Sequence, residues 1–286
     1  MPPRPVYRPK PNAIQTLFGR RQVVIGVIHL PALPGSPDYD GQEMEDIIAL
    51  ALAEAGSYRA GGLDGLIVEN HGDIPFAKPD RLGPETAAAM AVITRAVRLA
   101  CPCPIGVNVL ANGAIQALAV AKASGADFIR VNQWANAYIA NEGFIEGPAG
   151  EATRYRAWLH ARGVKIFADV HVKHGAHAIV ADREIGEMAR DAEFFDADVA
   201  IATGQRTGDA ASLEELGKIA AGTSLPVLVG SGANPENVGD ILANCDGVIV
   251  ASYLKRDGVW WNPVDPERVA VFMEVVARVR RAAPPK

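Results

Sequence analysis

The segment from residue 169 to residue 174 concentrates side chains that can do chemistry. It reads Asp-Val-His-Val-Lys-His and follows an apolar run. Alternate residues of an extended chain share a side, so Asp169, His171 and Lys173 are predicted to face one pocket. Together they can ligate a metal, exchange protons with a substrate, or form a Schiff base through the lysine. The non-catalytic alternative is a solvated loop in which His171 bonds to Asp169.

Two further ionisable residues end apolar runs elsewhere in the chain. His29 precedes a proline-rich loop, and Glu69 closes a run that begins at Gly65. A buried carboxylate is costly unless it is paired, so we expect Glu69 to meet a cation, a metal ion or a substrate hydroxyl. A salt bridge to Arg130 is the structural alternative. We predict that five residues are catalytic: His29, Glu69, Asp169, His171 and Lys173. We also predict a set of four metal ligands: His29, Glu69, Asp169 and His171.

The clearest anion-binding signal is the segment 226–237, which reads Pro-Val-Leu-Val-Gly-Ser-Gly-Ala-Asn-Pro-Glu-Asn. Its glycines allow backbone N–H groups to approach a ligand, and a helix predicted to start at Asn234 would add its positive end. The segment 250–255 follows the next apolar run. In barrels of alternating strands and helices, this pair of loops commonly binds phosphate. A plain helix cap is the alternative to phosphate binding by Gly230, Ser231, Gly232, Ala251 and Ser252.

Other polar residues at the ends of apolar runs are candidates to bind substrate. They are Asn70, Asp73, Asn108, Asn132, Thr203 and Gly204. In contrast, His71, His160 and His177 are expected to be surface or capping residues. Trp260 is expected to serve packing.

These residues need a fold that gathers the ends of several strands around one pocket. Eight short apolar runs are predicted as strands, at residues 23–28, 65–69, 105–109, 128–131, 164–169, 199–202, 227–229 and 248–250. Each precedes a stretch of helical periodicity, at residues 43–60, 84–100, 112–124, 150–162, 182–195, 212–221, 235–243 and 266–281. Most of the runs lack alternation, which is typical of parallel strands buried on both faces.

Eight strand and helix units in strict alternation favour an α/β fold, a single (β/α)8 TIM barrel. A doubly wound open sheet competes, but no G-x-G-x-x-G motif follows the first strand. Residues 22–286 are predicted to form the barrel domain. Residues 1–21 are predicted to form a short proline-rich basic arm and the start of a helix at 12–19 that plugs the barrel bottom.

Composition excludes several classes of protein. The 286 residues are 49% hydrophobic, too apolar for a disordered chain, and no long uncharged run suggests a membrane span. A formal net charge of −5 argues against a nucleic-acid-binding protein. Three cysteines, an odd number, fit a reducing cytoplasm, where we expect the protein to act. The basic arm is expected to lie over the barrel, with membrane or partner binding as the alternative.

Six segments of the chain together resemble the BtpA/SgcQ family. They are residues 24–37, 64–76, 105–110, 128–132, 169–174 and 226–237. The resemblance implies a TIM barrel that binds phosphate. Family members have been associated with photosystem I biogenesis and with a sugar-pathway enzyme. This chain departs from the family pattern at His71, where an aromatic residue is common, at 133–136, and at Ala251, where glycine is usual.

Residues and resemblance lead to one main hypothesis. The chain is expected to be a lyase or isomerase that binds a phosphorylated sugar-like molecule and performs aldol cleavage, epimerisation or isomerisation by metal or acid/base chemistry. A divalent metal ion is a candidate cofactor. No nucleotide cofactor, nucleic-acid partner or stable membrane insertion is expected, and a homo-oligomer is compatible with the fold class. The alternative is a non-catalytic assembly or stabilisation factor of the BtpA type.

Overall fold

Strands and helices alternate along the two segments that the computed structural model describes, residues 9–204 and 212–282. The strands are β1 (Val23–His29), β2 (Gly65–Glu69), β3 (Ile105–Asn108), β4 (Phe128–Val131), β5 (Ala137–Ala140), β6 (Gly143–Glu146), β7 (Lys165–Asp169), β8 (Val199–Ala202), β9 (Val227–Val229) and β10 (Gly247–Val250). The α-helices are α1 (Ala13–Phe18), α2 (Met44–Ala60), α3 (Pro84–Ala100), α4 (Ala114–Ser124), α5 (Ala149–Trp158), α6 (Ile185–Phe194), α7 (Leu213–Gly222), α8 (Val238–Asn244) and α9 (Pro266–Ala282). Residues 1–8 of the predicted arm lie outside the described residues.

Eight of the strands close into a parallel barrel in the order β1-β10-β9-β8-β7-β4-β3-β2. The predicted (β/α)8 fold is confirmed, and each barrel strand begins and ends within one residue of its predicted limits. The antiparallel hairpin of β5 and β6, inserted after β4, was not predicted. Several helices are also shorter than expected: α5 ends at Trp158, α6 spans only Ile185–Phe194, and α8 begins only at Val238.

Large side chains fill the interior of the barrel. Phe128 on β4 and Phe167 on β7 stack with their ring centroids 4.3 Å apart, among buried Val, Ile and Leu side chains of the other strands. Gly106 on β3 leaves room for this pair, because a Cβ atom there would lie 2.2 Å from the Phe128 ring. The interior is therefore a close-packed core, as in other barrels of this size.

Helix α1 packs against the interior core at the bottom of the barrel. The Asn12 side chain accepts a hydrogen bond from the Gln15 N–H group at the start of the helix, and Gly19 ends it in the left-handed conformation, with φ of 66°. Ala13 and Ile14 are buried against the interior core. Because an Asn cap and a C-terminal glycine are strong local signals, this short helix could be predicted from the sequence.

Four aspartates at the bottom of the barrel, which we call the basal carboxylates, tie neighbouring strands together. Asp64, Asp127, Asp198 and Asp246 directly precede β2, β4, β8 and β10. Each accepts the N–H group of a residue at the start of a neighbouring strand, over 2.7, 2.9, 2.9 and 3.0 Å. Buried N–H groups at the strand starts are satisfied in this way.

The described part of the basic arm is bound to this same end. Arg20 and Arg21 form ion pairs with the basal carboxylates Asp64 and Asp246, and Lys10 pairs with Asp196 at 2.5 Å. The positive charges of Lys10, Arg20 and Arg21 are therefore paired with acidic groups at the bottom of the barrel. Within residues 9–204 and 212–282, no helix combines the length and the apolar character needed to cross a bilayer.

Candidate active site

A cavity of about 630 Å³ opens where the barrel strands end. This volume suits a small-molecule ligand. Its walls come from the strand ends and the loops after them, the β5–β6 hairpin and the loop that contains Trp260. The ionisable side chains on the wall are His29, Glu69, His71, Arg130, Glu142, Lys173, His174 and Arg268.

Glu69 is the centre of the most closely packed polar group in this wall. Its Oε1 atom lies 2.8 Å from Nδ1 of His71 and 3.7 Å from Nε2 of His29, while its Oε2 atom accepts a 2.6 Å hydrogen bond from the Asn108 amide. Burial alone would raise the pKa of Glu69. The hydrogen bond from His71 and the positive charge of Arg130 oppose burial and hold the pKa below its ordinary value, so the side chain is a carboxylate.

His29 is held in one orientation by the loop that follows β10. Its Nδ1 atom lies 3.0 Å from the carbonyl oxygen of Trp260, which only accepts hydrogen bonds, so Nδ1 carries the proton. Burial lowers the pKa of His29 to about 3, and the ring is therefore uncharged. It stacks on His71 with the ring centroids 4.4 Å apart, and the Trp260 ring packs edge-on against His71 at the same distance.

The group His29, Glu69 and His71 has the proximity that a metal site requires. One ligand atom from each residue lies within 4.8 Å of the others, and this is the one set of three His, Cys, Asp or Glu side chains in the described chain with that property. We call it the His–Glu–His cluster. The predicted ligand set is thus brought together only in part, because Asp169 and His171 lie elsewhere.

Asp169 does not line the cavity; it lies behind Arg130. Both carboxylate oxygens accept hydrogen bonds from the Arg130 guanidinium, each at 3.0 Å, and the Asn132 amide donates a third over 3.3 Å. The Asp169 side chain is fully buried. The alternative prediction was a salt bridge between Arg130 and Glu69. The structure instead pairs Arg130 with Asp169. Arg130, held by Asp169, is the group that reaches the cavity wall.

His171 and Lys173 do not share a side with Asp169 as alternation predicted, because β7 ends at Asp169. The His171 ring packs against His177 with the centroids 3.8 Å apart, and it does not contribute to the cavity wall. Burial and the neighbouring His177 lower the pKa of His171 to about 4. Lys173 does reach the cavity, where its Nζ atom lies 3.3 Å from the Ser231 hydroxyl.

All five residues predicted to bind phosphate line the cavity: Gly230, Ser231, Gly232, Ala251 and Ser252. Gly232 has φ of 74°, a backbone conformation that favours glycine. The helix expected at Asn234 begins only at Val238, after a turn in which the Asn234 side chain accepts the N–H groups of Glu236 and Asn237. A cation that the sequence did not reveal lies at this end: Arg268 of α9, stacked over the Tyr253 ring at 4.4 Å.

The residues predicted to bind substrate divide into two groups. Asn108 and Asn132 line the cavity, and the Oδ1 atom of each is buried without a hydrogen-bond partner. Asn70, Asp73, Thr203 and Gly204 are not among the lining residues. Asn70 bonds to Asp73 and to the backbone of Leu110, and Asp73 accepts the Leu33 N–H group, so this pair fixes the loops after β1, β2 and β3. Thr203 donates to the His171 carbonyl.

Sequence reasoning missed His71, Trp260 and Arg268. His71 was assigned to the surface, although it stands two residues after Glu69 and so offers a nitrogen close to that carboxylate. The other two come from loops or helices far along the chain, and Trp260 meets His29 across 231 residues of sequence. No local pattern marks such a contact.

Comparison with known proteins identifies a matching family and several relatives of this chain. The family model described as the BtpA family matches residues 20–278. An uncharacterized protein of Archaeoglobus fulgidus is 45% identical over 87% of this chain and 96% of its own length. An uncharacterized mitochondrial protein of Caenorhabditis elegans is 40% identical over 93% of this chain and 96% of its own length. The photosystem I biogenesis protein BtpA of Synechocystis sp. is 40% identical over 94% of this chain and 93% of its own length.

Solved structures resemble the fold at low sequence identity. Tryptophan synthase subunit alpha from Legionella pneumophila matches with a TM-score of 0.58 and 16% identity, over 94% of this chain and all of that one. N-(5′-phosphoribosyl)anthranilate isomerase from Pyrococcus furiosus matches with a TM-score of 0.53 and 16% identity, over 90% of this chain and 99% of that one. These likenesses support the barrel fold, since function depends on the site rather than on the fold.

Proposed function

The chain belongs to the BtpA family, and on that premise we propose that it is an enzyme acting on a phosphorylated, sugar-like small molecule. The proposed reaction is that of a lyase or isomerase, in which a proton moves at the carbon beside a carbonyl group. Aldol cleavage, epimerisation and isomerisation all share this step. The observation that carries the proposal is one cavity with two chemically different ends.

One end suits a phosphate group. The glycine-containing loops after β9 and β10 expose backbone at the wall, and Arg268 supplies a positive charge beside them. Arg268 is fixed there because its Nε atom donates to the Tyr253 carbonyl over 2.6 Å. Backbone N–H groups with an arginine are a common way to hold phosphate. Two barrels of similar fold are named for phosphorylated compounds, a thiamine phosphate pyrophosphorylase and an N-(5′-phosphoribosyl)anthranilate isomerase, both from Pyrococcus furiosus.

The other end suits the reacting carbonyl. Removing a proton beside a carbonyl places negative charge on its oxygen, which a cation must stabilise. Arg130, which lines this end of the cavity, serves that role in our proposal. The unpartnered Oδ1 atoms of Asn108 and Asn132 would accept hydrogen bonds from sugar hydroxyls. Two cavity groups are suited to carry the proton itself: His71 and Lys173.

The proposal is tested by solvent exchange, because these reactions share an enolate whose carbon beside the carbonyl gains or loses a proton. Purified protein is incubated in D₂O with a panel of phosphorylated aldoses and ketoses, and deuterium at the carbon beside the carbonyl is followed by NMR. We expect exchange with at least one phosphosugar and not with its dephosphorylated form. Equal exchange of both forms would show that the phosphate is not recognised.

Variants on helix α9 then test the phosphate end. Arg268→Met should raise KM about 10- to 100-fold, the effect of losing one charge-assisted hydrogen bond. Arg278→Met removes an exposed arginine of the same helix, paired only with Glu274, and should leave KM unchanged. If the two variants behave alike, the phosphate does not bind beside Arg268.

An assembly role remains the second candidate because the Synechocystis relative is named for photosystem I biogenesis. The nematode relative is equally similar to this chain, and an animal has no photosystem. A function shared by the family therefore cannot depend on photosystem I. If no phosphosugar exchanges deuterium while the chain binds a thylakoid protein complex, the assembly role replaces the enzymatic one.

A further inference from the structure

We propose that the His–Glu–His cluster is a binding site for one divalent transition-metal ion of the Zn²⁺ class, with His29, Glu69 and His71 as its protein ligands. The inference deepens the proposed function, because it assigns a cation to the end of the cavity where the carbonyl reacts. The contacts that define this site can be read from the structure whether or not the proposed reaction occurs.

The loop that contains Trp260 holds His29 as a metal ligand is usually held. Nδ1 of His29 donates to the Trp260 carbonyl over 3.0 Å, which leaves Nε2 as the nitrogen directed at the cluster. Nε2 lies 3.7 Å from Oε1 of Glu69. A histidine whose second nitrogen donates to a backbone carbonyl is the usual arrangement of a metal ligand.

Glu69 is an acidic side chain with little room for water. It is almost completely buried at the end of an apolar strand, where a carboxylate is costly unless a counter-charge lies close. Arg130 already gives two hydrogen bonds to Asp169. Asn108 donates to Oε2 of Glu69, while Oε1 lies 2.8 Å from Nδ1 of His71 and 3.7 Å from Nε2 of His29. A divalent ion at Oε1 would add a full counter-charge to these contacts.

A buried polar atom without a hydrogen-bond partner lies beside the cluster. Oδ1 of Asn108 is buried and has no hydrogen-bond partner, although the same amide donates to Glu69. A water molecule or substrate oxygen held by a metal ion could donate to it. Catalytic metal sites leave one position open to such an oxygen, and His29, Glu69 and His71 all line the open cavity.

The types of ligand atom indicate which ions the site can bind. Two imidazoles and one carboxylate bind Zn²⁺, Co²⁺ and similar ions, whereas Mg²⁺ and Ca²⁺ prefer sites built from oxygen atoms alone. Binding commits His71 to the ion, which leaves Lys173 as the proton carrier of the proposed reaction. The set differs from the one expected from sequence, in which Asp169 and His171 took the place of His71.

The test measures metal binding directly. Full-length protein is stripped with a chelator and titrated with Co²⁺, and the visible d–d absorption and calorimetry report the affinity and the stoichiometry. We expect one Co²⁺ per chain, displacement by Zn²⁺, and no displacement by Mg²⁺ at the same concentration. A folded chain that binds no Co²⁺, or one that binds Mg²⁺ as tightly, overturns the proposal.

Variants locate the site. His71→Gln and Glu69→Gln should each weaken Co²⁺ binding by about 10- to 100-fold or more. That is the effect of losing a residue that only supports a metal ligand, and these two are ligands themselves. His171→Gln should bind as the unmodified chain does. His160→Asn, a change at an exposed histidine in the left-handed conformation that asparagine tolerates, is the matched control. Circular dichroism confirms that each variant is folded. Unchanged binding by His71→Gln, or loss of binding by His171→Gln, overturns the assignment.

The outcomes separate this inference from the proposed function. Stoichiometric Co²⁺ binding that His71→Gln abolishes, with no deuterium exchange in any phosphosugar, would leave the metal site standing and remove the proposed reaction. If deuterium exchange continues in the metal-free chain, the proposed reaction stands and the metal ion takes no part in it.

Discussion

Replacing Asp169 by asparagine tests whether this residue supports the site or takes part in the chemistry. The change keeps the shape of the side chain and removes its charge. Arg130, whose side chain is 6% exposed, would then remain buried without the carboxylate that gives it two 3.0 Å hydrogen bonds. Breaking a buried ion pair in this way costs about 3–5 kcal/mol. At about 2–4 °C per kcal/mol for a chain of this size, we expect Tm to fall by roughly 10 °C.

Two further variants make the prediction specific. The double variant Arg130→Met, Asp169→Leu removes both charges and should recover most of the lost stability, because a buried pair replaced by apolar residues is often close to neutral. Arg278→Met, which breaks an exposed pair, should cost less than about 1 kcal/mol. Urea and thermal unfolding measure all three. A loss below about 1 kcal/mol for Asp169→Asn, with loss of deuterium exchange, would refute the supporting role and restore the catalytic one.

Two other changes test the packing and the second buried ion pair. Gly106→Ala would place a methyl group 2.2 Å from the ring of Phe128 and should lower the free energy of unfolding by about 1–3 kcal/mol; Gly56→Ala, in the middle of α2 with no atom within 4 Å, should raise it by about 0.5–1 kcal/mol. Lys255→Met would leave Glu54, the partly buried partner of this buried lysine, without a cation. Burial already raises the pKa of Glu54, so the folded variant binds a proton more readily than the unfolded chain does. We therefore expect urea unfolding to show a larger loss of stability at pH 8 than at pH 5; equal losses at both pH values would contradict the role of the pair.

The barrel could be predicted because its strands are marked locally. A run such as Val199–Ala202 is apolar on both faces, and only a parallel sheet covered by helices accommodates such strands. The start and end of α1 carry an Asn cap and a glycine. The β5–β6 hairpin was not predicted, since its strands are only four residues each and include exposed positions. Nothing in its composition separates it from a loop.

The site was predictable only as far as the strands extend. His29 and Glu69 end their strands, so the register of the barrel brings them side by side. Beyond a strand end, side-chain direction depends on the loop, and for this reason His171 turns towards His177 while His71 turns towards Glu69. The partner of His29 could not be predicted, because the Trp260 carbonyl comes from a loop at the other end of the sequence.

The basal carboxylates have a consequence for how this family diversifies. They fasten the strands at the end of the barrel opposite the cavity, so a substitution at the mouth leaves the strand anchors untouched. Natural variation can then alter ligands, loops and specificity on an unchanged frame.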